Sequence, residues 1–88
     1  MTDEELKTLC KINVRTTSTA YDPMIDNLIG AAKKDISASC DVQFDPENEI
    51  ECQAVVMYVK GMYSYEPDEK SLSRYREMLS QIGTRKIQ

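Results

Sequence analysis

The stretch Ala54-Val55-Val56-Met57-Tyr58-Val59-Lys60-Gly61-Met62-Tyr63 decides the fold, because its residue types suit a strand while its surroundings suit a helix. Val55, Val56, Tyr58 and Val59 all carry strand propensity. Length settles the matter. Asp45-Pro46 upstream is a helix-start signal, Pro67 downstream is a breaker, and the span between them far exceeds an ordinary strand. The reading is one helix capped at Asp45 and running to about Tyr65. Lys60 is the only charge inside the quoted stretch, so little of this helix suits water unless a partner covers it.

Working outward, the same signals recur on both sides. Upstream, Tyr21-Asp22-Pro23 predicts a helix with Asp22 as cap and Pro23 at its first position. Ile25, Leu28, Ile29, Ala32 and Ile36 then recur at spacings of three and four, and the helix should fade near Ser39. Asp26, Lys33, Lys34 and Asp35 fall largely off that apolar stripe. Further upstream, Thr2-Asp3-Glu4-Glu5 is a capping box opening a short helix of roughly two turns, with Leu6, Leu9 and Cys10 inward. Between the two, Asn13 to Ala20 has no helical period and reads as a polar loop. Downstream, Pro67-Asp68 caps a last helix whose Leu72, Tyr75, Leu79 and Ile82 form a seam ending at Gly83, with a polar, frayed tail beyond. The expected fold is all-α: one domain over residues 1–88, a small bundle of about four helices, the first short and the others longer.

Size and charge narrow the functional classes. An 88-residue chain buries only about 60–65% of its unfolded surface, so its stability margin is thin and assembly is a common remedy. The net charge of −4 lacks the basic surface of a stand-alone DNA binder. Charge is also uneven. Asp41, Asp45, Glu47, Glu49 and Glu51 form an acidic run without a base, whereas Lys70, Arg74, Arg76, Arg85 and Lys86 follow with Glu77 as the single acid among them. Such runs are solvated faces in most proteins, but opposite patches also let identical copies meet head to tail.

Chemistry is sparse. With no histidine, the usual general base, the Ser–His and Cys–His pairs and Cys–His metal sites are all missing. Gly30, Gly61 and Gly83 are isolated rather than gathered in a phosphate loop, and Asp45-Pro46-Glu47-Asn48-Glu49 lacks the alternation and central glycine of a calcium loop. Neither enzyme activity nor a cofactor nor a bound metal is expected. Cys10, Cys40 and Cys52 are odd in number and form no C-x-x-C pair, which fits free thiols in a reducing cytoplasm. The sequence shows no signal-peptide pattern and no apolar run of membrane length. Tyr58 and Tyr75 sit on apolar faces and are expected in the core, where Tyr58→Ala should cost about 3–5 kcal/mol. Tyr63 and Tyr65, beside the Glu66-Pro67 break, are candidate contact residues.

Taken in order, "MTDEELKTLCKI", a polar loop, "YDPMIDNLIGAAKKDI", "EIECQAVVMYVKGMYSY" and "SLSRYREMLSQI" resemble the small head–tail connector, or adaptor, proteins of long-tailed bacteriophages. The resemblance spans almost the whole chain. It rests on order and spacing: acids and a leucine pair at the start, an Asp-x-x-Ile/Leu pattern from Asp22 to Leu28, an Ala/Val/Tyr-rich third segment, and Leu72, Tyr75 and Arg76 at the end. Two features depart from the family pattern: a short loop after the third helix, and "SASCDVQFD" where some members carry an aromatic-glycine turn.

The resemblance implies a helical adaptor forming a ring of about a dozen copies beneath the portal, as closed cyclic assemblies do. Its partners would be itself, the portal protein and a tail-completion or stopper protein, with DNA passing through the channel without sequence-specific binding and no membrane involved. It would be assembled in the bacterial cytoplasm and reside at the head–tail interface of the virion. An acidic lining would let DNA slide. On this reading Tyr63, Tyr65, Arg74 and Arg76 contact neighbouring subunits or the portal, and Arg15, Thr16, Thr17, Ser18 and Thr19 form a channel- or tail-facing loop. One rival is a small helical regulator, antitoxin-like or a transcription-factor partner, acting through a groove. Another is a helix-turn-helix DNA binder, disfavoured because the second helix is acid-rich at its start, where recognition helices meet base edges.

Overall fold

The computed structural model describes residues 1–16, 19–63 and 66–87, with side chains as far as position 83. Four helices account for most of it: α1 (Asp3–Asn13), α2 (Asp22–Cys40), α3 (Glu49–Tyr63) and α4 (Glu69–Ile87). Among the described residues there is no strand. The all-α expectation is met, and the deciding stretch is helical.

Each helix begins for a local reason. At α1 the Thr2 hydroxyl accepts from the Glu5 N–H at 3.1 Å, and the Glu5 carboxylate accepts from the Thr2 N–H at 2.9 Å. This is the capping box read from sequence, although α1 is a turn longer than expected. At α4 the Asp68 carboxylate accepts from the N–H groups of Lys70 (3.2 Å) and Ser71 (3.4 Å), as its cap position requires.

The other two starts differ from the sequence expectation. Asp22 is not the cap of α2; Tyr21 flanks the helix without a side-chain bond, and Asp22 is the first helical residue. Its carboxylate is turned back to Lys11 at 2.9 Å and Lys7 at 3.5 Å, a pair of charges that outbids a neutral N–H. Nor does α3 begin at Asp45. The Asp45 carboxylate accepts from the Glu47 N–H at 2.9 Å and closes a turn. Asn48 is the cap, accepting from the Glu51 N–H at 3.1 Å. Glu51 in turn accepts from the Asp45 N–H at 3.2 Å and is buried.

Two ends also need correcting or explaining. Gly83 does not stop α4, which continues through Ile87; Gly83 lacks the positive φ that ends a helix. At the end of α1, Thr16 N–H donates to Lys11 O and Arg15 N–H to Ile12 O, both at 3.1 Å. This paired closure places Arg15 at φ 58, a left-handed position that glycine normally takes.

The core explains how α3 tolerates its composition. Helix α3 touches α1, α2 and α4, and α2 also touches α1 and α4, while α1 and α4 do not pack on each other. So α2 and α3 form the inner pair and α1 and α4 flank it. Ala54, Val55, Val56 and Val59 of α3 are buried against Ile25, Ala32 and Ile36 of α2, Leu6 and Cys10 of α1, and Tyr75 and Ile82 of α4. The apolar surplus of the third helix is therefore taken up largely inside the chain. Tyr75 is buried as expected, and its hydroxyl donates to the Asp35 carboxylate. Tyr58 is only half-buried, stacked edge-on against Tyr75 at 5.2 Å, so the full core cost expected for Tyr58→Ala belongs to Tyr75→Ala instead.

Candidate interaction surface

The contacts between helices fix the height of every surface residue. At one end, Asp22 meets Lys11, the Tyr21 and Tyr63 rings lie edge to face at 6.0 Å, and the Asp68 N–H donates to Gly61 O at 3.0 Å. At the other end, the Met1 ammonium donates to Pro46 O at 3.0 Å and meets Glu47 at 3.2 Å. Lys33 reaches Asp3 at 2.8 Å there and lies over the Phe44 ring at 5.2 Å. Helices α1 and α3 thus point the same way, and α2 and α4 run against them.

The first end carries the larger exposed apolar groups: Ile12, Tyr21, Met24 and Met62. Tyr21, Met24 and Tyr63 line an open depression of about 630 Å³ together with Arg15, Lys60 and Asp68. Arg15, expected in the channel- or tail-facing loop, and Tyr63, expected as a contact residue, are brought together here. Thr16 and Thr19 lie in the same loop, whose Thr19 carbonyl accepts from the Asp22 N–H at 3.2 Å. Thr17, Ser18 and Tyr65 lie outside the described residues. Sequence reading missed Tyr21 and Met24; a tyrosine directly before a helix start and a methionine off the apolar stripe were the available signals.

Arg74 and Arg76 are separated, because two residues apart on a helix means nearly opposite sides. Arg76 is exposed and lies 3.8 Å from Glu69 on the same helix. Arg74 borders the open side of α3, in a groove also lined by Glu49, Ile50, Gln53, Glu77 and Met78. A second hollow beside it brings Met57 and Lys60 to the same arginine. The groove thus has a half-buried apolar floor of Ile50, Met57 and Met78 and charged rims.

This placement corrects the picture of two separate charged patches. Glu51 faces inward and leaves the acidic run, and Glu49 shares a groove with Arg74 rather than standing far from it. The side chains of Arg85 and Lys86 lie outside the described residues.

Electrostatics elsewhere serve the fold. The Lys11 ammonium holds the Asp22 carboxyl below the ordinary aspartate range, and the Ser71 hydroxyl and N–H do the same for Asp68. Burial pushes the Cys10 thiol up to about 12, and burial followed by the Asp35 bond pushes the Tyr75 phenol well above its usual value. The three thiols are buried and unpaired; those of Cys40 and Cys52 donate to Leu79 O and Pro46 O, each at 3.3 Å. Among the described residues, no group of three metal-ligating side chains comes together, and no helix is long and apolar enough to cross a membrane. Compared with protein-family models, curated proteins and solved structures, the chain matches none of them.

Proposed function

We propose that the chain is a structural adaptor of a phage head–tail connector. Copies of it form a ring of about a dozen subunits under the portal, extend the DNA channel and present a surface to a tail-completion protein. The observation carrying this reading is the order of segments along the chain, which resembles that family from the capped opening to the Leu72–Arg76 pattern. Two structural features support it. The bundle has an apolar, tyrosine-bearing end suited to docking another protein, and α3 keeps one side open although it is the innermost helix.

In this reading the end with Arg15, Tyr21 and Tyr63 docks the portal or the tail protein. Asp41, Asp45 and Glu47, exposed at the opposite end, face the DNA path and keep it slippery. Arg74 contacts a neighbouring subunit.

The test is co-expression with the portal protein of the same genome, followed by electron microscopy of the purified complex. A ring seated under the portal, with density for this chain around the channel, is expected. Arg74→Glu should reduce the fraction of portals that carry it. Portals purified bare, or a ring with the Asp41–Glu47 segment wholly on its outside, contradict the reading or its channel assignment respectively.

A further inference from the structure

Among the described residues, every ion pair that joins one part of the fold to another has an end in residues 1–13. Lys7 meets Asp22 at 3.5 Å and Asp26 at 3.2 Å, and Lys11 meets Asp22 at 2.9 Å. Asp3 meets Lys33 at 2.8 Å, and the Met1 ammonium meets Glu47 at 3.2 Å. The remaining pair, Arg76 with Glu69, lies within α4. Helices α2, α3 and α4 are joined instead by apolar packing and by hydrogen bonds such as that from Tyr75 to Asp35.

The apolar hold on α1 is slight beside this ionic one. Only Leu6 and Cys10 of α1 are buried, whereas the other three helices share the rest of the buried apolar core among themselves. Helix α1 packs on α2 and α3 and does not touch α4. The Tyr21 ring, just before α2, lies against Tyr63 of α3, so the body keeps this end contact with α1 away.

From this division we infer that α1 is an ionic latch, which opens and closes on the body formed by α2, α3 and α4 as ionic strength changes. Asp3, Asp26 and Glu47 are 87%, 56% and 83% exposed, so salt reaches their pairs. Even the most sheltered pair, Lys11 with Asp22, keeps 19% and 24% of its side chains in water. Salt screens charges but not apolar burial, so it loosens α1 and leaves the body intact. Such an opening is sub-global. A helix of 11 residues is too short to persist alone in water, so α1 unwinds as it leaves. The latch does not depend on the adaptor reading.

The chain carries its own reporters. Cys10 is 0% exposed on the inner side of α1, so it reacts when that helix leaves. Cys40, whose thiol donates to Leu79 O of α4, reports opening of the body. The test labels the full chain with iodoacetamide at about pH 8, near the ordinary thiol range, and reads each site's rate by peptide mass spectrometry. Sodium chloride is raised from about 0.01 M to about 1 M, which cuts the Debye length from about 30 Å to about 3 Å. Cys10 should label several-fold faster at high salt, and Cys40 should not change. The double variant Lys7→Gln, Lys11→Gln should label Cys10 at low salt nearly as fast as the natural chain does at high salt, with Cys40 still slow. A Cys10 rate that ignores salt, or that rises only together with Cys40, overturns the latch. If the double variant unfolds, all three of its cysteines label quickly, and the salt series on the natural chain decides.

Discussion

Arg15 carries the most informative single-residue strain in the chain. It sits at φ 58 to let the N–H groups of Arg15 and Thr16 satisfy the last carbonyls of α1. A non-glycine residue in that conformation is disfavoured, so Arg15→Gly should stabilise the fold by about 0.5–1 kcal/mol, read as a higher thermal midpoint. No gain would mean that the arginine's own contacts offset the strain. The buried acids Cys10 and Tyr75 make a second residue-scale prediction. Both have folded-state values above their unfolded ones, so the unfolded chain loses these protons first as pH rises. Stability should therefore begin to fall above about pH 8.5, where a free thiol titrates, and fall further above about pH 10. Denaturant melts across that range check it: Cys10→Ala should shrink the first part without abolishing it, because burial also pushes the Cys40 and Cys52 thiols up, and Tyr75→Phe should flatten the second. The acid side has the reverse sign. Asp22 and Asp68 are held low, so their contribution is intact above the ordinary aspartate value and fades as pH drops through the folded one.

At the scale of elements, the helices were legible wherever a side chain answered its own backbone. Thr2 and Asp68 cap as their sequence position demands, and the α2 stripe from Ile25 to Ile36 is buried as its spacing requires. The two misplaced helix starts share one cause: a side chain found a better partner than the first N–H groups of its own helix. Asp22 went to two lysines of α1, and Asp45, four residues before α3 begins, gave its carboxylate to a turn. The first choice cannot be read without knowing what lies across the fold, and the second is a local turn that competes with the cap on equal terms. The glycines show the same division. A Cβ at Gly61 would fall 2.6 Å from Leu72 Cδ2, whereas one at Gly30 would meet open space. Gly61→Ala is thus expected to destabilise by about 1 kcal/mol net, partly relieved by Leu72→Ala, while Gly30→Ala should stabilise the monomer by about 0.5–1 kcal/mol. Thermal melts of the two single variants moving in the same direction would contradict this account of α3–α4 packing.

For the whole molecule, the apolar richness of α3 is less diagnostic than it looked in sequence, because three helices surround most of it. What remains uncovered is specific: an apolar end with Tyr21 and Tyr63, and a groove with Arg74 on its rim. Of the residues singled out from sequence, Arg15 and Tyr63 gather at that end, Arg74 lies in the groove, and Arg76 faces away from it. The groove itself was invisible in sequence because it is made of residues on two helices whose relative rotation only packing decides. The central claim, assembly into a connector ring, is tested most directly by native mass spectrometry of the full chain. It should be measured over a concentration series, alone and mixed with the portal protein of the same genome. The account predicts a closed species of about a dozen copies, free or seated on the portal. A chain that stays monomeric at every concentration, with portal present and absent, would contradict it.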